Sequence, residues 1–186
     1  MDRESGYTRK KQPDLVRRAL LDEAAKLSVE QGLAAVTVQA VADAAGVTKG
    51  GFMHHFPSKQ ALIDAVFQEM LEAIDRDLDA RIAADSEAYG TFTRAYVEAV
   101  FDAKKVMGSG PWAPLSISML TDSNLRALWA RWFDARVERH RETDSDLQLA
   151  ITRLAADGLW LADMAGIALP DRALLRERLV ATTRRN

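Results

Sequence analysis

The 186-residue chain contains no cysteine, only three histidines, and few glycines (10) or prolines (5). Without cysteine there is no disulfide framework, thiol nucleophile, iron–sulfur cluster or thiolate zinc site. The histidines, His54, His55 and His140, are a small supply for metal binding or acid–base catalysis. No apolar run approaches the roughly 18 residues of a membrane span, and no apolar segment follows the first charged residues as in a secretion signal. We therefore expect a cytoplasmic protein without a metal or cofactor.

Apolar residues make up 48% of the chain and recur at helical spacing almost throughout. Val16, Leu20, Ala24 and Leu27 follow the i, i+4, i+8 and i+11 spacing of one helix face. Gly32 then lies where a glycine that ends a helix is expected. No alternating apolar and polar run is long enough for a buried strand. The sequence therefore predicts an all-α fold of about nine helices.

The predicted helices fall into two domains. Two short helices, at about 38–45 and 48–56, are separated by Gly46. Ser58 is predicted to cap a long helix of some 25 residues that starts at Lys59. Five further helical segments are predicted at about 88–105, 112–119, 123–142, 144–167 and 171–184. The pattern indicates a three-helix domain over residues 1–58 and a second helical domain over residues 59–186.

The formal charge is unevenly distributed between these parts. The whole chain carries a net charge of −2, which taken alone argues against a nucleic-acid-binding protein. Residues 1–59, however, hold 9 Lys and Arg against 7 Asp and Glu, whereas residues 60–186 hold 16 against 20. The N-terminal part is therefore at +2 and the remainder at −4, a direction that suits an N-terminal unit in contact with phosphate.

Two short helices joined by a glycine turn, and preceded by a third helix, are the pattern of a helix-turn-helix. The run from Thr37 to Lys59, with Phe56-Pro57-Ser58 before the long helix, resembles the signature of the TetR family of bacterial transcriptional regulators. The resemblance covers about residues 14–63. It implies a ligand-responsive repressor that binds a palindromic double-stranded DNA operator as a homodimer and is released by a small apolar effector. In that case residues 1–58 are the helix-turn-helix DNA-binding domain and residues 59–186 the effector-binding and dimerisation domain.

The resemblance also implies which residues meet DNA. Thr37 is expected to cap the second helix at a phosphate, and Gln39 and Lys49 to reach a base edge, with phosphate as the alternative for Lys49. Met53 departs from the family, which usually has a tyrosine at this position, and so loses one hydrogen bond to phosphate. The predicted DNA-contacting residues are Thr37, Gln39, Thr48, Lys49, Gly50, Gly51, Met53, His54, His55 and Lys59.

Other interpretations of these residues remain open. His55 can instead be a buried residue between the domains, and Lys59 can be a solvated surface charge. The basic segment Arg9-Lys10-Lys11 is either a solvated tail or an arm over phosphate or the minor groove. Phe52 and Phe56 are expected in the core.

The C-terminal domain offers a candidate interface and a candidate pocket. Small residues recur along the eighth helix, and leucines along the last; the predicted dimer interface is Ala155, Gly158, Ala162, Gly166, Leu175 and Leu179. The alternative is that this stripe faces the chain's own core. All four tryptophans lie between residues 101 and 164, and such an aromatic cluster suits an apolar effector pocket. The predicted ligand-binding residues are Phe101, Trp112, Met119, Trp129, Phe133, Asp157, Trp160 and Met164.

Asp102, Asp157 and Asp163 are the candidate polar anchors in this pocket, and a buried carboxylate among them favours a cationic or amine-bearing ligand. The helix that starts at Lys59 is expected to link effector binding to DNA release.

Two other classes of function compete with this hypothesis. An enzyme would need His140 or the pair His54 and His55 for its chemistry, but His140 lies on a strongly charged stretch and the pair lies inside the DNA-binding motif. Neither a glycine-rich phosphate loop nor a metal-binding histidine pair is present in the sequence, so we expect no catalysis. A helical interaction protein that has lost DNA binding is the other alternative, which Met53 and the acidic pI allow.

Overall fold

The computed structural model describes residues 13–107 and 112–185, and at 104–107 and 112–114 it describes the backbone alone. The described residues form ten helices, nine of them with seven or more residues, and contain no strand. The all-α prediction is therefore confirmed. The helices are α1 (Pro13–Gln31), α2 (Val38–Ala44), α3 (Lys49–His55), α4 (Lys59–Ala84), α5 (Thr91–Met107), α6 (Trp112–Thr121), α7 (Ser123–Arg139), α8 (Arg141–Asp144), α9 (Leu147–Met164) and α10 (Arg172–Ala181).

One predicted helix, over residues 123–142, is interrupted. α7 ends at Arg139 because His140 leaves helical geometry, with φ −105° and ψ 19°. The short α8 follows and ends in Asp144, which is fully buried. Its carboxylate accepts hydrogen bonds from the backbone N–H groups of Phe92 and Thr93, at 3.3 and 2.8 Å. This caps the first turn of α5, where N–H groups lack helical partners.

The chain divides into two compact units, of which the first ends at Val66 and the second begins at Phe67. The division falls inside α4, two turns beyond the boundary at residue 58 that the sequence suggests. In the first unit, the apolar faces of α1, α2, α3 and the start of α4 form a core. Phe52 and Phe56 are 0% and 3% exposed, which confirms the prediction that they are core residues.

The second unit has its own core, in which α5 is the central helix. Phe92, Ala95, Tyr96 and Val97 of α5 are buried, together with residues of α4 and α9. Gly90 precedes α5 at φ 68°, and a Cβ atom there would lie 2.4 Å from the carbonyl oxygen of Thr183. In the described part of the chain, every helix is too short or too polar to span a lipid bilayer.

Candidate DNA interface and ligand cavity

Two threonines begin the helices of the predicted helix-turn-helix. The Thr37 hydroxyl oxygen accepts from the backbone N–H of Ala40 at 3.1 Å, and that of Thr48 from the backbone N–H of Gly51 at 3.0 Å. Both residues are extended, as N-cap residues usually are. Between the helices, Gly46 adopts φ 64°, a left-handed conformation that costs little for glycine. The predicted Thr37 cap and the predicted glycine turn are confirmed, and Thr48 caps α3 in the same way.

The α2–turn–α3 segment has one buried and one solvent-facing side. Phe52 points into the core of the first unit, while Met53 is 44% exposed. Gly51, His55 and Lys59 are half-buried. The predicted DNA-contacting residues that are exposed are Thr37, Gln39, Thr48, Lys49, Gly50, Met53 and His54. Most of the predicted set is therefore accessible to a partner on the outer side of α3.

The two glycines at the start of α3 are not required by the packing of the protein itself. A Cβ atom at Gly50 would have its nearest neighbour, the Thr48 hydroxyl oxygen, at 3.8 Å. At Gly51 the nearest atoms would be the same oxygen at 3.4 Å and the Val47 Cβ atom at 3.6 Å. These are ordinary van der Waals separations, so alanine would fit at both positions. The glycines leave the first turn of α3 open to close approach by another molecule.

Several candidate side chains already have partners within the first unit. The Lys59 ammonium group donates to the Leu33 carbonyl at 3.4 Å, which holds it at the start of α4. Two further donors of this ammonium group remain for a phosphate. The Gln39 amide donates to the Asp43 carboxylate at 2.8 Å. Arg9-Lys10-Lys11, the candidate arm, lies outside the described residues.

A cavity of about 440 Å³ lies in the second unit. Of the predicted ligand-binding residues, Met119, Trp129, Asp157 and Trp160 line it. The side chain of Trp112 lies outside the described residues. Further lining residues, none of them predicted to bind ligand, come from α4, α5, α6 and α9: Met70, Ala73, Ile74, Asp77, Leu78, Tyr96, Ala99, Val100, Ala103, Ser116, Leu120, Gly158 and Leu161. Of these, Gly158 is predicted at the dimer interface instead.

Three predicted residues do not line this cavity. Phe101 is buried, and the Arg172 guanidinium carbon lies 5.2 Å from the centre of its ring. Phe133 packs edge-on against Tyr96, with 5.7 Å between ring centroids. Met164 is the last residue of α9 and is absent from the lining. Phe101 and Phe133 instead pack in the core of the second unit.

Asp157 and Tyr96 form the polar part of the cavity wall. The Tyr96 hydroxyl group donates a hydrogen bond to the Asp157 carboxylate. Burial raises the pKa of Asp157 above its ordinary value, and the hydrogen bond from Tyr96 offsets only part of that rise. Burial and the adjacent Asp157 carboxylate also raise the pKa of Tyr96 well above its usual range. The cavity thus holds an incompletely compensated carboxylate in apolar surroundings.

The predicted dimer stripe lies partly at the surface of the second unit. Ala155, Gly158 and Gly166 are exposed, and Ala162 is half-buried. Leu175 and Leu179, also half-buried, pack partly against the chain's own core. Larger apolar residues that are not in the predicted interface also lie on the outer side of α9: Leu147, Ile151, Leu154 and Leu161, which are 75%, 50%, 69% and 52% exposed. Together, these leucines and this isoleucine leave an apolar face open.

Sequence comparison gives matches to known families over both units. The family profile described as bacterial regulatory proteins, tetR family, matches residues 20–66. A second profile, described as tetracyclin repressor-like, C-terminal domain, matches residues 90–184. Together the two profiles include the helix-turn-helix and the helices that line the cavity, except for the lining residues of α4 between Met70 and Leu78.

Two curated relatives match most of the chain. The transcriptional repressor KstR2 of Rhodococcus jostii is 31% identical over 160 residues, 78% of this chain and 77% of the relative. The transcriptional regulator BetI of Paraburkholderia xenovorans is 29% identical over 175 residues, 87% of this chain and 89% of the relative.

Solved structures share the fold. The multidrug binding protein EbrR in complex with imidazole has a TM-score of 0.68 at 20% identity, over 91% of this chain and 96% of that one. A regulator from Streptomyces coelicolor A3(2) has a TM-score of 0.70 at 20% identity, with the same coverage. With its helix-turn-helix and both family profiles, the chain belongs to the TetR family of bacterial regulatory proteins, which are DNA-binding transcriptional regulators rather than enzymes.

Proposed function

We propose that this regulator is a repressor that binds a palindromic operator as a homodimer and leaves it when a small apolar effector enters the cavity of the second unit. The observation that carries the proposal is the capped helix-turn-helix, whose outer side presents Lys49 beside two glycines with room around them. The relative KstR2 is named a repressor, which supports repression over activation.

DNA contact is proposed for the ten predicted residues of the first unit. Lys49, at the exposed start of α3, reaches a guanine edge or a phosphate. Lys59 meets a phosphate at the N-terminus of α4, where the helix dipole favours an anion. Met53 offers an apolar contact, such as a thymine methyl group, in place of a hydrogen bond.

Dimerisation is proposed through the outer side of α9 with α10. The exposed apolar residues of α9 recur at 147, 151, 154 and 161, which places them along one helix face. Ala155 and Gly158 lie beside them and let a second helix approach closely. Contiguous apolar surface of this kind marks an interface, and two-fold symmetry matches a palindrome with half-sites about one helical turn apart.

Release is proposed as a shift between dimer conformations. An effector lowers operator affinity only to the extent that it binds better to a conformation that fits DNA poorly. α4 carries Lys59 at its first position and contributes Ile74 and Leu78 to the cavity lining. A change in the position of this helix on filling the cavity would therefore reach the phosphate anchor. The multidrug binding protein with the same fold was solved with small ligands bound, which supports a ligand role for the cavity.

The test uses the full chain and labelled DNA from upstream of its own gene. We expect a sequence-specific complex in fluorescence anisotropy, and loss of at least about tenfold in affinity for the double variant Lys49→Ala, Lys59→Ala, since each removes a charged contact. Lys26→Ala is the matched control, because Lys26 is exposed in α1 of the same unit. Equal affinity of the double variant and the control would refute the assigned DNA interface.

A further inference from the structure

We propose that the cavity of the second unit selects organic cations: an aromatic or aliphatic body bearing an ammonium group, with the Asp157 carboxylate as the counter-ion. This inference rests on the proposed function, because it names the ligand class of the same effector site. It adds to the proposed apolar effector a positive charge on the ligand and a residue, Asp157, that binds this charge.

Where the structure describes the side chains of the cavity wall, the charged groups are carboxylates. Two carboxylates, Asp77 and Asp157, line it, and no Lys, Arg or His does so among the side chains that the structure describes. Asp77 already has a cationic partner, since the Arg81 Nε atom lies 2.8 Å from its Oδ2 atom. Arg81 also contacts Asp102, at 3.1 Å. Asp77 therefore has an ion-pair partner within the protein, which it shares with Asp102.

Asp157 has no such partner in the described part of the chain. Its carboxylate receives one hydrogen bond, from the Tyr96 hydroxyl group, although an ionised carboxylate has about four acceptor sites. Arg153, one turn earlier on α9, is a nearby cation whose positive charge acts on the Asp157 carboxylate. Arg153 Nη1 is occupied by Thr93 Oγ1 at 2.5 Å and by the Asp144 carbonyl at 3.3 Å. Asp157 therefore remains a half-buried carboxylate without an ion pair, which is costly unless a charge compensates it.

The rest of the wall suits the body of such a ligand. Trp129, Trp160 and Tyr96 contribute aromatic rings, and the faces of aromatic rings attract cations. A cavity of about 440 Å³ is within the range of sites that enclose a drug-sized ligand. An anionic ligand would meet two carboxylates, and a neutral one would leave Asp157 uncompensated. The charge pattern therefore favours a cation over a neutral or anionic molecule of the same shape.

The experiment compares two dansylamide probes that differ only in charge. One carries a 2-(trimethylammonio)ethyl group and the other a 3,3-dimethylbutyl group, so that a quaternary nitrogen replaces a quaternary carbon. Binding to the full-length protein is followed by energy transfer from tryptophan to the dansyl group. We expect the cation to bind about 10- to 100-fold more tightly than its neutral isostere, the range of a charge-assisted contact.

Asp157→Asn should abolish this preference, because an asparagine oxygen can still accept from Tyr96 while the charge is gone. Its affinity for the neutral probe should stay within about twofold, which shows that the cavity is intact. Asp134→Asn is the matched control, since Asp134 is exposed on α7 and does not line the cavity. Equal binding of both probes, a preference that survives Asp157→Asn, or no binding of the cation would each overturn the inference.

Operator binding, measured separately, distinguishes failure of this inference from failure of the proposed function. If the protein binds its operator and the neutral probe releases it as well as the cation does, the regulator function stands and the ligand class is wrong. If no operator complex forms, the proposed function fails, while the probe titration still decides the charge preference of the cavity.

Discussion

Gly50→Ala should stabilise the N-terminal unit and still weaken DNA binding. Gly50 is the second residue of α3 and is exposed, and a methyl group there has no neighbour closer than 3.8 Å. Alanine therefore fits the folded protein without strain. A helical glycine costs roughly 0.5–1 kcal/mol relative to alanine, so the substitution should stabilise α3 by about that amount. This corresponds to roughly two- to fivefold slower amide exchange.

The same methyl group would stand on the surface that we assign to DNA. If the first turn of α3 approaches the duplex as closely as its glycines allow, the added group must displace that contact. Overpacking of a tight contact costs about 1–3 kcal/mol, which corresponds to a loss of at least about fivefold in operator affinity. Stability and DNA binding would then change in opposite directions.

Two measurements read these effects independently. Hydrogen exchange followed by mass spectrometry over residues 37–56 reports local stability, and fluorescence anisotropy reports operator affinity. Gly46→Ala supplies the contrast, because the positive φ of 64° makes alanine cost about 1–2 kcal/mol there. Unchanged operator affinity of Gly50→Ala would refute close approach by DNA, and faster exchange would refute the conformational argument.

Three further predictions concern the second unit. Gly90→Ala should destabilise it by more than about 2 kcal/mol in urea unfolding, because positive φ adds to an overlap with the Thr183 carbonyl oxygen at 2.4 Å; a loss below about 1 kcal/mol would contradict this. Leu154→Asp, at a side chain 69% exposed, should shift the protein to monomer in analytical ultracentrifugation, and a persistent dimer would exclude this face. The hydrogen bond from Arg136 holds the pKa of Asp79 below its ordinary 3.8. The free energy of unfolding that this interaction contributes is present above that pH and should be lost as the pH falls through the lowered pKa. Asp79→Asn should therefore make the free energy of unfolding less dependent on pH in the acid range.

The sequence was most informative where the signals are local. Thr37, Thr48 and Ser58 precede helical segments, and each hydroxyl accepts from the backbone N–H three residues later. Gly46 takes the left-handed conformation that its position between two short helices predicts. Caps and turns depend on neighbouring residues alone, so a linear reading captures them. The break at His140 had no comparable signal, and a single helix was predicted across it.

The cavity could be predicted only in part, because it depends on which helix faces meet. Trp129 and Trp160 line it as expected, whereas Phe101 and Phe133 pack elsewhere in the unit. An aromatic cluster in the sequence does not show which rings fill the core and which border a space. Tyr96 of α5 and Asp157 of α9 are 61 residues apart in sequence and are brought together by the packing of the two helices. No spacing rule connects them.

The outer side of α9 shows a second limit of periodicity. Leu149, Ala156 and Leu159 are buried, while Leu154 and Leu161 on other faces of the same helix are exposed. A helix that is apolar on more than one side gives the same pattern whether the second side meets the chain's own core or another chain. The sequence therefore indicated small residues as an interface and left out the leucines that dominate the exposed face.

The salt dependence of operator affinity tests the central claim most directly. For a helix-turn-helix that anchors phosphates, the logarithm of affinity falls linearly with the logarithm of salt concentration, by about 0.9 per phosphate contact. A dimer of Lys59→Ala loses two proposed contacts, so its slope should be shallower by about 1.8 than that of the parent, while Lys26→Ala should keep the parent slope. A parent slope near zero, or an unchanged slope in Lys59→Ala, would contradict the account.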